Sequence, residues 1–405
     1  MVSSPDTELQ ERLGADIAGL CRFERPSASE GERQAAKWVA SRLRGMDLEP
    51  ELEEFDFYPD YWNVWGSHAA LAAAAGVAAL LSRRLAWPAA AANTFLTTSF
   101  WGDLNCGFHW LRSRFPARPS YNVLARLPNP SAQRVLIVSA HHDAAHSGLV
   151  FHPAVPRLMA RTSGKGGPTP AILKLPFGAM LLVTAGAWLR SLGLADSVAR
   201  PALRLGVILN GVMAALMADI GRSPVSPGAN DDASGVAAVL ELARDLSREK
   251  PSNLEVWFLS IGCEEGIMGG MMAFLDRHQE ELAGRRPFFL NFEELGFGDP
   301  EYRTGEGFVK FYPYHPDAIG LAARVAREPE FEDVRSGLSR LGTDALIPIR
   351  RGLTAITIAC GSESDRPPAY HWPTDTPENV DLRSVERACL FSRRMVQLLD
   401  EEAKG

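Results

Sequence analysis

Apolar residues recur at helical spacing through Leu9, Leu13, Ile17 and Leu20, and again through Ala36, Val39 and Leu43, so the chain opens on helices. Short strand-like, mostly apolar runs follow at Asn122–Leu127, Val135–Ala140, Glu255–Ile261, Phe288–Phe292, Phe308–Tyr312 and Thr354–Ala359. Runs of this kind read as buried strands. Amphipathic helix patterns lie between and after them, at Ala233–Leu246, Gly270–Leu282, Pro316–Ala326 and Leu382–Leu399. Strands alternating with helices predict an α/β fold whose central sheet is mixed, largely parallel and flanked by helices.

Two stretches break this alternation. Between about Val64 and Phe115 the chain reads SHAALAAAAGVAALLS, then a charged break at Arg83-Arg84, then AAAANTFLTTSFW. Between about Ala171 and Ile220 it reads LPFGAMLLVTAGAWL, then a polar break with Arg190 and Asp196, then LGVILNGVMAALMA. Each predicts an apolar helical hairpin inserted into the α/β frame. The frame then comprises residues 1–61, 119–148 and 226–405, with hairpins at 62–118 and 149–225. A membrane-spanning helix needs about 20 predominantly apolar residues. Each apolar segment falls somewhat short of that, and Arg204 and Asn210 intrude on the last. A soluble cap or dimerisation element therefore stands beside membrane attachment as a reading. Basic residues on both flanks of each hairpin leave the orientation open.

Composition narrows the class. With 46% hydrophobic and 22% charged residues, the 405-residue chain is globular, one large α/β domain with insertions or two ordinary domains. Its net charge of -7 is spread out, with no basic footprint for nucleic acid. Cys21, Cys106, Cys263, Cys360 and Cys389 are far apart, forming neither a paired metal knuckle nor a dense disulfide framework, and they suit a reducing compartment. Cys263, beside an acidic pair, reads as a small buried thiol rather than a nucleophile. The opening MVSSPDTELQERLGADIAGL carries acids where a signal peptide needs a basic start, so export by that route is not expected.

Chemistry concentrates where the strand patterns end. VLIVSAHHD places His141 and Asp143 at the end of one run, and alternation turns both to the same side, with His142 opposite. His146, shortly after, has no assigned role. SPGANDDASG brings Asp231 and Asp232 through a tight turn to a helix start, where an acid is commonly a cap but can also be displayed as a ligand. EVWFLSIGCEEG ends in Glu264-Glu265, and FFLNFEELGFG ends in Glu293-Glu294. Neighbouring carboxylates at a buried strand end repel unless a cation or a proton separates their roles. His371 stands in a Pro-rich loop before the last helix, where a lone His is usually solvated. Taken together, the two His and three carboxylates form the mixed N/O set suited to a two-zinc hydrolytic site.

In this order, His-x-Asp, GAxD-x-ASG, Glu-Glu-x-x-x-Gly, an acid ending an asparagine-led strand and YH-x-x-x-D-T-P, the motifs resemble those of the two-zinc aminopeptidases of the bacterial leucine aminopeptidase type. That family also includes glutamate carboxypeptidase-like and transferrin-receptor-like members. The resemblance covers about 270 residues, the three pieces of the frame, and implies a zinc exopeptidase fold; the hairpins have no counterpart in the simple secreted members. It implies one zinc on His141 and Glu293, a second on Glu265 and His371, and Asp231 bridging the two. Glu264 matches the family's general base and Asp143 its acid near the bridging site. Tyr370, Thr343 and Asp344 fall where the family lines its substrate pocket. Glu293 stands where the aminopeptidases usually have Asp, and Asp232 where many have Asn.

The resemblance implies attack of a zinc-bound water on an amide, with Glu264 moving the proton, in an aminopeptidase. Alternatives on the same fold are a carboxypeptidase, an acyl-amino-acid amidohydrolase, a glutaminyl-cyclase-like enzyme or a metal-free receptor-like homologue. A peptide or amide substrate is expected and nucleic acid is not. Association with a membrane through the hairpins is the preferred expectation, with the catalytic part on the cytoplasmic side, while a cytoplasmic protein or a homo-oligomer stays open.

Overall fold

Residues 6–154, 171–339, 341–361 and 369–404 are described by the computed structural model of the chain. The opening helical repeats form α1 (Thr7–Leu20) and α2 (Glu30–Arg44), whose first turns are fixed by Asp6 accepting from the Leu9 amide and Ser29 from that of Glu32. Next in the chain come β1 (Glu51–Phe57), α3 (Tyr61–Leu81), α4 (Arg83–Leu104), β2 (Arg118–Leu127) and β3 (Arg134–His141). Helices α5 (Ala171–Leu192) and α6 (Asp196–Ile220) precede α7 (Ser234–Arg248), β4 (Leu254–Ile261), α8 (Gly269–Leu282) and β5 (Phe288–Glu293). The last third holds β6 (Asp299–Arg303), β7 (Gly305–Glu306), β8 (Tyr312–Pro313), α9 (Pro316–Val325), β9 (Arg335–Gly337), α10 (Leu346–Arg350), β10 (Thr354–Gly361) and α11 (Leu382–Glu402).

Eight strands form one sheet in the order β1-β2-β4-β3-β5-β10-β6-β9. The central β4, β3, β5 and β10 run parallel, whereas β2 joins β4, and β6 joins β10, antiparallel. Every residue of β4, and all of β3 after Arg134, is buried, as near-continuous apolar runs require of strands covered on both faces. Helices α1, α7, α9 and α11 pack against one another in a layer on the sheet, while α8 and α10 pack together. The register pairs His141 with Ile261, and Ala359 with Glu293, so the carboxyl ends of β3, β4, β5 and β10 lie side by side. In open α/β sheets this edge is where ligands bind.

Two elements differ from the sequence pattern. The apolar run Phe308–Tyr312 does not extend into a strand: Phe308 turns inward, the Lys310 amide donates to Asn105, and only Tyr312–Pro313 pairs, with β7. Strand β1 was illegible because its buried face carries an acid: Glu53 points inward and meets the His278 ring at 2.7 Å.

Helices α3, α4, α5 and α6 pack as a four-helix bundle, each hairpin returning to the sheet. They are longer than the apolar segments suggested, at 21, 22, 22 and 25 residues, because flanking aromatic and polar residues continue each helix. Residues 155–170 of the second insertion lie outside the described residues. At about 1.5 Å per residue such helices are some 32–38 Å long, enough to cross a hydrocarbon layer of about 30 Å. By length and composition, Tyr61–Leu81, Lys174–Leu192 and Asp196–Ile220 are apolar enough to cross a membrane.

The bundle's interior sets small residues and an amide among larger apolar side chains such as Phe100, Met180, Val183 and Leu203. Ala69, Ala72, Ala79, Ala86, Ala90, Ala187 and Ala199 are fully buried. A Cβ on Gly206 would lie 2.7 Å from a Val183 methyl, so glycine is what permits α5 and α6 to approach there. Asn93 donates to the Met180 carbonyl and to Thr184, and Thr184 also meets Thr97 at 2.9 Å. All but three of the exposed large hydrophobic residues among those described, Trp110, Leu149 and Leu338, belong to the bundle and its turns.

Candidate metal centre

Three strand ends and two loops deliver the site. β3 ends at His141, the turn after β4 presents Glu264 and Glu265, and β5 ends at Glu293. The loop before α7 supplies Asp231, and the loop before α11 supplies His371. Gly228 bends the first loop at φ 64, in the left-handed region, and a Cβ there would lie 2.6 Å from the Asp231 carbonyl oxygen.

Asp231 sits between the two histidines. Its Oδ1 is 3.1 Å from His141 Nε2, and its Oδ2 is 3.1 Å from His371 Nε2. On one side Glu293 Oε1 lies 3.7 Å from His141 Nε2, and on the other Glu265 Oε1 lies 3.3 Å from His371 Nε2. The donors fall into three overlapping groups: His141, Asp231 and Glu293; Asp231, Glu265 and His371, which shares the Asp231 carboxylate with the first; and His141, Glu264 and Glu265. Asp231 Oδ2, Glu265 Oε1 and Glu293 Oε2 are buried without a hydrogen-bond donor. Buried carboxylate oxygens left without donors are costly unless a cation neutralises them. Two imidazoles and three carboxylates, partly unsatisfied and out of water, are the donor set that zinc takes.

The electrostatics are those of closely packed opposite charges. Burial alone would push the His371 ring down, but the charge of Glu265 and contact with Asp231 hold it up at about 10. His141 is raised well above its ordinary value against the same burial by Asp143, Asp231 and Glu293. Burial also pushes the carboxyls of Glu264 and Asp344 well up, the neighbouring acids adding to the effect.

A shell of buried acids holds the ligand-bearing backbone. Asp143 accepts from the amides of Glu264 and Glu265 at 3.1 Å each and from the Ser27 hydroxyl at 2.6 Å, while lying 3.4 Å from His141 Nδ1. Glu32 accepts from the Cys263 amide at 2.7 Å and from Ser120 at 2.9 Å. Asp375 accepts from the amides of Asn230 and Asp231 at 2.8 and 3.1 Å. Asp232 takes the capping role open to either acid, accepting from Gly235 at 3.1 Å, which leaves Asp231 free to face the histidines. Ser27, Glu32 and Asp375 were not singled out in the sequence. Asp375 had a signal, the D-T-P following His371, whereas Ser27 and Glu32 act from more than 100 residues away.

The remaining candidates are placed as follows. Tyr370 stacks on the His371 ring at 3.9 Å between centroids. Thr343 donates to Glu306 and meets Thr357, in a buried network beneath the site. Asp344 is buried with neither carboxylate oxygen hydrogen-bonded. His142 faces away and meets Ser260 at 2.9 Å, and His146 meets the Ser223 carbonyl at 2.9 Å. Cys263 is a fully buried thiol whose pKa is pushed well up by burial.

Comparison with known proteins agrees with this geometry. Residues 211–395 match the model of peptidase family M28. Over 168 residues the chain is 27% identical to aminopeptidase YwaD of Bacillus subtilis, a match covering 41% of the chain and 36% of YwaD. Over 172 residues it is 29% identical to endoplasmic reticulum metallopeptidase 1 of Mus musculus, covering 40% of the chain and 18% of that protein. The chain thus spans well under half the length of these relatives. In fold it resembles a zinc aminopeptidase from Bacillus subtilis, with a TM-score of 0.56, 13% identity and coverage of 96% and 95% of the two chains. A glutaminyl cyclase of Bacteroides thetaiotaomicron is equally similar, with a TM-score of 0.56, 12% identity and coverage of 98% and 99%.

Proposed function

Taking a peptidase family M28 segment on that fold as the premise, we propose that this protein is a membrane-attached two-zinc hydrolase of peptide or amide bonds, most consistent with an aminopeptidase. The observation that carries the reading is Asp231, with one oxygen facing each histidine and a further acid completing each group. His141, Asp231 and Glu293 would hold one zinc, and Asp231, Glu265 and His371 the second. Bound there, zinc supplies Lewis acidity, making water nucleophilic near neutral pH and polarising the scissile carbonyl. Glu264 borders the cavity beside this site, and its carboxylate shares a donor group with His141 and Glu265 but none with Asp231. It takes the proton from the attacking water and passes it to the leaving amine, the task of a carboxylate in the cavity wall. Asp143 positions that step by holding the Glu264 and Glu265 amides. Tyr370, beside His371 on the cavity wall, would contact substrate. Asp344 would face the reacting groups, while Thr343 supports them from beneath.

The similarity to glutaminyl cyclases leaves the fold neutral between hydrolysis and cyclisation. The second donor group around His141 favours a two-metal hydrolase. Membrane attachment is supported by the bundle's three sufficiently apolar helices and its apolar exterior. One preparation tests the reading: protein that stays in carbonate-washed membranes, extracted with detergent, should carry about two zinc ions per chain. Asp231→Ala should carry neither, since both groups lose their shared ligand. Recovery in the detergent-free supernatant would refute the attachment, and full zinc content in Asp231→Ala would refute the bridge.

A further inference from the structure

An apolar cavity of about 260 Å³ lies between the base of the bundle and the candidate metal centre. Glu264, Glu265 and His371 stand in its wall. Tyr61 and Trp65 of α3 and Met213 and Met217 of α6 line it as well, so both inserted hairpins help to build it. Leu175 and Val212 also line it, yet they are 54% and 52% exposed, on the same outer surface as Ile208 and Leu205. The cavity therefore connects the acids of the site with the apolar face of the bundle. Among the described lining residues there is no lysine or arginine to receive a phosphate or a free carboxylate. A mostly apolar pocket favours an apolar occupant, and flexible methionines suit a long, conformationally variable one.

We infer that the cavity is a subsite for a long unbranched aliphatic chain carried on the amide to be cleaved, and that such a substrate enters from the lipid-facing side of the bundle. The inference rests on the hydrolase and membrane-attachment readings above and names the substrate class. Two chemistries present that chain: an amino-acid amide with an alkyl side chain, free at its amino group, and an N-acyl amino acid whose chain is the acyl group. In both, water adds to the carbonyl carbon, the C–N bond breaks, and the proton lost by water appears on the amine. No oxidant or further reactant is needed.

The test uses the full chain in detergent or lipid nanodiscs. First, kcat/KM is measured for both substrate series as the aliphatic chain is lengthened from about two to about eight carbons. The subsite predicts a rise of about fourfold per added methylene, the fold-change of burying one, in one of the two series. Which series rises identifies the source. The Val212→Trp variant should flatten that slope by narrowing the mouth, whereas a slope unchanged by it contradicts the inference. Second, an amide bearing a dodecyl chain with a terminal diazirine is photolysed with zinc-loaded and zinc-stripped protein, and the labelled peptides are identified. Labelling of residues 209–217, competed by unlabelled dodecyl amide but not by acetamide, supports the subsite. Labelling spread over the outer bundle surface, uncompeted, overturns it. If the label enters the cavity but no amide is cleaved, the subsite stands and the hydrolase reading falls. Cleavage indifferent to chain length, with no label in the cavity, sinks the inference alone.

Discussion

Around β3 and β4 the apolar side chains lie inside, and the surface of this part carries ion pairs such as Arg33 with Glu30 at 2.7 Å and Arg351 with Asp276 at 2.6 Å. Around α3 to α6 large apolar residues lie on both sides: Phe100, Met180 and Leu203 are buried beside the alanines and Asn93, while Leu81, Trp87, Leu192 and Ile208 face out. In water the buried apolar residues of both regions gain from the hydrophobic effect, whereas the outward-facing ones of the second do not. Between helices in lipid, close contact of small residues and interhelical hydrogen bonds hold a bundle together. The comparison shows that composition, which is apolar in both regions, says less about the surrounding solvent than how many large apolar residues face outward. It also locates chemistry, because the candidate centre and its apolar cavity lie where the two kinds of packing meet.

The largest effects belong to the core side. Glu264→Gln should retain zinc and lower kcat by about 10²–10⁴, because it removes a proton acceptor. Glu265→Gln should instead lose metal, and elemental analysis beside kinetics separates the two; the reverse outcome would exchange their roles. Asp375→Ala removes the acceptor holding the Asn230 and Asp231 amides and should weaken zinc binding by about 10–100-fold without removing a ligand. Titration with a competing chelator reads this directly, and unchanged affinity would reduce Asp375 to a loop residue.

The smallest effect belongs to the bundle. Asn93→Leu removes two interhelical hydrogen bonds and should cost about 1 kcal/mol in unfolding within detergent micelles, leaving zinc content as it was. A loss of zinc on that substitution would mean that the two regions fold as one unit and would break the comparison.

Much of the core was legible because strand runs and helix periods are local. Phe288–Phe292 and Thr354–Ala359 became β5 and β10 almost residue for residue. The acids and histidines chosen from strand ends do gather in space, since a parallel sheet aligns those ends along one edge. What stayed hidden depends on tertiary meeting. Ser27 and Glu32 look like surface residues until α2 and its preceding loop close over β4, and the inward Glu53 disguises β1. The cavity was hidden for the same reason: Trp65, Met213 and Met268 are ordinary apolar positions until two insertions and a strand-end turn converge.

The central claim, that Asp231 stands between two metal half-sites, is tested most directly by anomalous diffraction from crystals of the zinc-loaded protein, recorded on either side of the zinc edge. The account predicts two peaks flanking the Asp231 carboxylate, one about 2.0–2.2 Å from donor atoms of His141 and Glu293, the other equally close to Glu265 and His371. A single peak, or two peaks of which either lacks Asp231 as a ligand, would contradict it.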